Sequence, residues 1–235
     1  MKNEQINEKS QDPEFWKKHF QHYDFFQNNF EWYKQTIQFH AEQINECKNV
    51  LDTGAGSGNL TKALINEGHI VTAIDNEPFA LEQLKNKMGD NNNLTILSGD
   101  VCSMNIKKNS FDGATSMFLL PFINKPKDYI KNIHQAIKSG GKFSISGWSP
   151  EPDIYQFLNN KINEELTEKG ILPEHQAEWD EFLNTSAENA KNVLISELDK
   201  EKVKSILLET GFNNIKEFKG IAYEKYAYFI VAEKI

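Results

Sequence analysis

The sequence contains no arginine. All 26 of its strongly basic residues are lysines, and 34 acidic residues outnumber them to give a formal net charge of −8. A general nucleic-acid-binding protein needs a basic face that neutralises phosphates. The composition therefore argues against nucleic acid as a partner, although a local lysine cluster would weaken that argument.

Cysteines and long apolar runs are also scarce. Cys47 and Cys102 are the only two cysteines, too few for a disulfide framework and without the spacing of metal ligands. The longest apolar runs, "FLLPFI" and "YAYFIVA", fall far short of the ~20 residues of a membrane helix. The first residues, "MKNEQINEKSQ", are polar and contain no apolar signal segment. We expect a cytoplasmic protein with no membrane span and no metal.

From about residue 47 onward, short β-rich runs alternate with amphipathic segments. "NVLDT", "HIVTAID", "NLTILSGD", "FDGATSM" and "GKFSISGW" are separated by stretches with helical spacing of apolar residues. This order predicts an α/β fold with a parallel sheet and helices on both faces. "HIVTAI" is nearly all apolar, which is typical of a strand buried on both faces.

The N-terminal residues 1–46 precede this alternation and form a predicted helical extension. Asp12 followed by Pro13 is typical of an N-cap with proline in the first turn. A second helix is predicted over about residues 29–46. We expect this extension to serve as a lid.

The alternation stops at Pro150, and residues 150–198 are polar and prone to form helices. A last helix is predicted from Asp199 to Gly211, followed by two closing strands. We therefore predict a domain at residues 47–235 that carries a helical cap insertion at about 150–198.

The stretch "VLDTGAGSGNL" places glycines at positions 54, 56 and 58 between a strand and a helix. In open α/β folds this loop lies at the carboxyl edge of the sheet, where ligands bind, and glycine lets the backbone approach a ligand closely. The dinucleotide pattern G-x-G-x-x-G would need glycine where Asn59 stands, and the phosphate loop GxxxxGK[ST] is absent. The spacing disfavours a nicotinamide cofactor.

"VLDTGAGSG" resembles motif I of the class I S-adenosylmethionine (SAM)-dependent methyltransferases. The resemblance implies a Rossmann-like doubly wound sheet of seven strands, mostly parallel with an antiparallel last strand. It also implies that SAM is the cofactor and S-adenosylhomocysteine the product. Cofactor contacts are expected at Asp52, Gly54, Ala55 and Gly56, where Asp52 would contact the ligand, anchor the loop, or both.

Later segments extend the resemblance in the family's order. "VTAID" ends at Asp75, which with Asn76 is expected at the ribose, because a carboxylate offers two acceptor oxygens to two vicinal hydroxyls. "SGDV" resembles the adenine contact of the family and assigns it to Asp100 and Val101. "FDGATSMFLLPFI" resembles the fourth-strand motif that lines the methyl-transfer site, with Met117 beside the cofactor.

The acceptor side departs from the amide and adenine N-methyltransferases of this family. Where those enzymes carry Asn-Pro-Pro-aromatic, this chain has "MFLLPF", which argues against DNA adenine or protein glutamine as acceptor. We predict one apolar pocket facing the methyl group, bordered by Tyr23, Phe118, Trp148 and Tyr155.

The sequence identifies no catalytic base. His19, His22 and His175 lie in the predicted N-terminal extension and insertion and are the only histidines considered near the acceptor. The favoured prediction is an enzyme that methylates a small molecule. An RNA or protein methyltransferase, and a SAM-binding regulatory protein without turnover, remain as alternatives.

Overall fold

In this computed structural model, which describes residues 13–192 and 198–235, seven strands form one sheet. The strands are β1 (Asn49–Thr53), β2 (Ile70–Asp75), β3 (Leu94–Ser98), β4 (Phe111–Met117), β5 (Ile137–Trp148), β6 (Phe212–Phe218) and β7 (Ala227–Lys234). Their order is β3-β2-β1-β4-β5-β7-β6. The strands from β3 to β5 pair in parallel, whereas β7 runs antiparallel to both β5 and β6. The predicted fold class is confirmed.

Eight α-helices are found in the described part of the chain. They are α1 (Pro13–Asn29), α2 (Glu31–Gln43), α3 (Asn59–Asn66), α4 (Pro78–Met88), α5 (Pro126–Ala136), α6 (Ile154–Glu168), α7 (Gln176–Asn192) and α8 (Lys200–Glu209). The predicted N-cap Asp12 lies outside the described residues. None of these helices is long and apolar enough to cross a bilayer.

Two helix ends follow from local sequence. Asp199 caps α8, because its side chain accepts a hydrogen bond from the backbone N–H of Lys202 at 2.9 Å. Gly170 follows α6 with φ +72°, and its N–H donates to the carbonyl of Thr167 while that of Ile171 donates to Leu166. This pair of bonds is the Schellman arrangement that ends a helix at a left-handed glycine.

The strand order reverses between β1 and β4, and this reversal determines where the site lies. After β1 the chain continues to β2 and β3 on one side of that strand, whereas β4 and β5 lie on its other side. Loops leaving the carboxyl ends of β1 and β4 therefore diverge and open a crevice.

Two clusters of buried side chains lie on different parts of the sheet. One packs α5 and α8 against the sheet and includes Tyr129, Phe143 and Phe212. The other is strongly aromatic and joins α1, α2, α6 and α7 to the β6–β7 connection. We call α1, α6 and α7 the cover, because α1 packs against α7 and α4, and α6 packs against α7.

Candidate active site

The loop after β1 has a backbone that favours glycine at three positions. Gly54, Gly56 and Gly58 have φ values of +67°, +54° and +84°. A Cβ atom at residue 54 would lie 2.7 Å from the side chain of Leu119, and one at residue 58 would lie 2.1 Å from that of Leu84. Both the left-handed backbone and the close packing therefore explain the repeated glycines.

Asp75 at the end of β2 holds this loop in place. The amides of Gly54 and Ala55 donate to the carbonyl of Ile74 at 2.9 and 3.0 Å, and the amide of Gly56 donates to Asp75 Oδ2 at 2.8 Å. Asp75 Oδ1 accepts from the amide of Glu77 at 2.9 Å. Burial raises the pKa of Asp75, and these backbone N–H groups oppose that rise. Each carboxylate oxygen keeps a second lone pair for another donor.

Asp52 lies behind the loop. Its two oxygens accept hydrogen bonds from the hydroxyls of Thr61 at 2.6 Å and Thr115 at 2.8 Å. Burial raises the pKa of Asp52 to about 6. The side chain lines neither of the two cavities described below, and the loop amides are held by Ile74 and Asp75. In this structure Asp52 is hydrogen-bonded to two hydroxyls behind the loop, and its contact with the cofactor stays a prediction.

A first cavity of about 280 Å³ opens between the glycine loop and the cover. The structure brings the four predicted pocket residues together in its wall, since Tyr23, Phe118, Trp148 and Tyr155 all line it. Ala55, Gly56 and Met117, which were predicted at the cofactor, line the same cavity. The described residues in this wall include no lysine.

A second cavity of about 430 Å³ lies beyond the end of β3. Asp100 and Val101 line it, together with Cys102. The carboxylate of Asp100 accepts from the amide of Cys102 at 2.9 Å and from the hydroxyl of Ser103 at 3.0 Å, so it stabilises its own turn. Five residues line both cavities, namely Gly54, Asp75, Asn76, Leu119 and Phe122.

Aromatic rings line one end of the first cavity. Phe118 and Trp148 stack in parallel with ring centroids 4.0 Å apart and an interplanar angle of 7°. Tyr223 meets both rings edge-on at 5.4 and 4.9 Å. The pair forms because β4 and β5 end side by side, with Met117 opposite Ser146, and the amide of Phe118 donates to the Ser146 carbonyl.

Several residues in this wall were missed or given little weight by sequence reasoning. His19, Tyr23 and Phe26 are spaced i, i+4 and i+7 on α1, so helical periodicity could have placed His19 beside the pocket. Phe182 on α7 and Tyr33 on α2 also line the cavity. His22 and His175 do not line it, and each lies near a glutamate of α7.

A polar cluster joins the cover to the glycine loop, and we call it the Asp24 clasp. It consists of Asp24, Ser57, Asn59 and Lys87. Asp24 accepts from the hydroxyl of Ser57 at 2.5 Å and from the side-chain amide of Asn59 at 2.8 Å. Its other oxygen lies 2.7 Å from the ammonium group of Lys87 on α4. The cover is thereby attached to the loop that floors the first cavity.

The two cavities fit a nucleoside joined to an amino acid. At Gly56, in the wall of the first cavity, a Cβ atom would approach only the ring of Phe20, at 3.5 Å, so the loop backbone faces open space there. The strand-end carboxylate of Asp75 lies in the wall that the cavities share. The described residues contain no cluster of three or more side chains suited to hold a metal ion.

Comparisons with known proteins agree with this geometry. The family described as "Methyltransferase domain" matches residues 51–145. A ubiquinone biosynthesis O-methyltransferase of Coxiella burnetii is 31% identical over 156 residues, which cover 62% of this chain and 67% of that protein.

Solved structures share the fold at lower identity. A SAM-dependent methyltransferase of Thermotoga maritima, described as a possible histamine N-methyltransferase, has a TM-score of 0.61 at 16% identity and covers 92% of this chain and 95% of its own. A Burkholderia thailandensis 1,6-didemethyltoxoflavin-N1-methyltransferase with its substrate and S-adenosylhomocysteine has a TM-score of 0.58 at 18% identity, covering 85% and 76%. The chain belongs to the class I SAM-dependent methyltransferases, and SAM is its cofactor.

Proposed function

We propose that this enzyme transfers the methyl group of SAM to a small, apolar or aromatic acceptor bound in the first cavity. The observation that carries the proposal is the acceptor end of that cavity, where Phe118, Trp148 and Tyr223 form a contiguous aromatic wall. Aromatic side chains give a large contact area at little conformational cost and suit a ring-bearing ligand.

The favoured acceptor atom is the oxygen of a hydroxyl group. The curated relative is named an O-methyltransferase of ubiquinone biosynthesis, and a ring-bearing hydroxyl compound matches the aromatic wall. The described lining residues include no lysine, so an acceptor with a permanent anionic group would find no ammonium partner in the wall.

The cofactor half of the site is assigned on the same basis. Asp75 would accept hydrogen bonds from the ribose hydroxyls, and Asp100 and Val101 would lie beside the adenine in the second cavity. Gly54 and Gly56 would let the amino-acid end of the cofactor lie against the backbone.

SAM supplies an activated methyl group, so the protein chiefly aligns the acceptor and excludes water. Alignment alone contributes roughly 7–11 kcal/mol in well-oriented reactions. In this chain the cover would perform that role, because Tyr23 on α1, Tyr155 on α6 and Phe182 on α7 close the cavity opposite the loop. A polymeric RNA or protein acceptor would have to displace these helices, which favours a small molecule.

Binding of S-adenosylhomocysteine tests the cofactor half. At a hundredfold excess over Kd, ligand binding stabilises the native state by about 2.7 kcal/mol. We expect the melting temperature to rise by several degrees with S-adenosylhomocysteine and to stay unchanged with NADH or ATP as controls. An equal rise with NADH would contradict the assignment.

Methyl transfer from radiolabelled SAM tests the acceptor half. Pools of small neutral phenols, total RNA and denatured protein would be incubated separately with the enzyme. We expect label in the small-molecule pool. Label confined to RNA or protein would overturn the proposal for the acceptor and leave the cofactor result intact.

A further inference from the structure

We propose that His19 on α1 is the catalytic base that takes the proton from a hydroxyl acceptor during methyl transfer. This inference rests on the proposed function, because it assumes an acceptor bound in the first cavity. It assigns a chemical role to a residue of the cover, which otherwise contributes apolar surface.

The position of His19 supports this role. Its ring lines the first cavity together with Tyr23, Met117 and Phe118. Tyr23 on the same helix and Phe182 on α7 hold the ring, with centroids 5.2 and 5.7 Å away. The imidazole is thus fixed in the wall of the space that we assign to the acceptor.

Other titratable groups in the wall are poor proton acceptors at neutral pH. Burial raises the pKa of Tyr23 to about 12, and it also raises the pKa values of Tyr33, Tyr155 and Tyr223, so these phenols stay protonated.

The two carboxylates of the wall are engaged elsewhere. Asp75 accepts from backbone amides of the glycine loop and of residue 77, and Glu77 accepts from the amide of Phe79 at 3.2 Å. Both lie at the end of β2, the end of the site that we assign to the cofactor.

The protonation state of His19 also suits a base. Burial lowers its pKa to about 4, so the ring is neutral at pH 7 and one of its nitrogens is an acceptor. Glu181 on α7, the carboxylate next to Phe182 in sequence, lies 3.3 Å from His22. No lysine lines the cavity within the described residues.

The proposed step balances in atoms and electrons. The bond from the acceptor oxygen to the methyl carbon forms as the carbon–sulfur bond breaks, and the electron pair of that bond goes to sulfur. The hydroxyl proton goes to a ring nitrogen of His19. The low pKa then returns that proton to water when the cavity opens.

A base matters here because a phenol resembles tyrosine, with a pKa near 10, and is almost fully protonated at pH 7. A phenolate formed in advance would have to lose its hydration before it reaches the sulfonium of SAM, and the described wall supplies no lysine to offset that cost. Proton transfer concerted with methyl transfer avoids that state, and a positioned base contributes about 10²–10⁴-fold.

The test compares His19→Gln and His19→Phe with His22→Gln, a control on the same helix whose ring pairs with Glu181 outside the cavity. The Phe variant keeps an aromatic ring against Tyr23 and Phe182 and removes only the proton acceptor. The probe is 4-methylcatechol with labelled SAM, and calorimetry with S-adenosylhomocysteine checks the cofactor site of each variant.

We expect both His19 variants to lose about a hundredfold in kcat at pH 7, the low end for a positioned base, because a pKa of about 4 makes His19 a weak base. S-adenosylhomocysteine affinity and the activity of His22→Gln should stay within twofold of the wild type. Between pH 7 and pH 9 the variants should regain about tenfold per pH unit as phenolate forms in solution. The wild-type kcat should vary little from pH 6 to 8, because His19 is already neutral.

Three results would overturn the proposal. They are variants that retain the wild-type rate at pH 7, variants that lose activity equally at pH 7 and pH 9, and a wild type that binds S-adenosylhomocysteine and methylates amine probes but not the catechol. Failure to bind S-adenosylhomocysteine would instead contradict the proposed function itself.

Discussion

The two halves of the candidate site are built from different interactions. On the sheet side, the glycine loop and Asp75 are held by backbone amides at 2.8–3.0 Å, and Asp52 beneath them is held by two hydroxyls. On the cover side, rings pack against rings, as Phe26 does against Trp179 at 4.9 Å. Hydrogen bonds constrain the direction in which two groups approach each other, whereas aromatic side chains mainly contribute buried contact area. Such a division suits a site that binds its cofactor in one defined position and its acceptor mainly through contact area.

The largest expected effect comes from breaking the hydrogen-bonded half at Asp75. Asp75→Ala would remove two charge-assisted hydrogen bonds to the ribose, each on the order of 1.5–3 kcal/mol. We expect the affinity for S-adenosylhomocysteine, measured by calorimetry, to fall at least a hundredfold. Asp90→Ala is the control, because this aspartate is exposed and lines neither cavity. An unchanged affinity in a folded Asp75 variant would refute the ribose assignment.

A second test of the hydrogen-bonded half uses Asp52, whose titration makes the stability of the fold depend on pH. Its pKa is about 6 in the folded protein against 3.8 in the unfolded chain, so the folded state binds more protons between about pH 4 and 6. Stability from this group is therefore present below pH 4 and lost as pH rises through 6. The Asp52→Asn variant lacks this titration. From pH 4 to pH 7 its free energy of unfolding, relative to that of the wild type, should rise by about 3 kcal/mol.

Urea denaturation of both proteins at a series of pH values measures this difference, with Asp90→Asn as the exposed control. Parallel stability curves for Asp52→Asn and the wild type would show that Asp52 is not the titrating group.

The contribution of the aromatic half is tested by truncating single aromatic side chains. Trp148→Ala should lower kcat/KM for 4-methylcatechol about tenfold, since the lost contacts are worth ~1.4 kcal/mol or more. Affinity for S-adenosylhomocysteine should stay within twofold. Phe25→Ala is the control, because Phe25 is exposed, contacts Phe26 and His175 and lies outside both cavities. A loss of cofactor affinity in the Trp148 variant would show that the two halves of the site do not act independently.

The smallest effect is expected where the halves meet, at the Asp24 clasp. The side chains of Asp24 and Lys87 are 28% and 18% exposed, so Asp24→Asn should weaken the attachment of α1 by about 1 kcal/mol. Amides of α1 should then exchange hydrogen several times faster. Lys85→Gln, on the exposed face of α4, is the control. In the wild type, S-adenosylhomocysteine should slow exchange in α1, and equal protection with and without it would make α1 a fixed packing element.

The sheet side was largely predictable from the sequence, and so were the helices of the cover and its pocket residues Tyr23 and Tyr155, whereas contacts between distant segments were not. "VLDTGAGSG" and "VTAID" specify a strand, a turn and a carboxylate within a few residues, so local spacing contains the information. The partners of the Asp52 side chain could not be predicted, because one of them, Thr115, is 63 residues away. Tyr223 was missed for the same reason, since it reaches the cavity from the connection between the last two strands.

Phe118 has a left-handed backbone, with φ +55°, that is unusual for a residue with a bulky side chain. A backbone of this kind costs on the order of 1–2 kcal/mol for a residue other than glycine. Glycine at position 118 would relieve that cost and would also remove the ring that stacks on Trp148. The lost ring contacts outweigh the relieved strain, because truncating a packed aromatic side chain costs up to about 3–5 kcal/mol. Phe118→Gly should therefore lower the melting temperature although it relaxes the backbone, and an equal or higher melting temperature would show that the ring contributes little to packing.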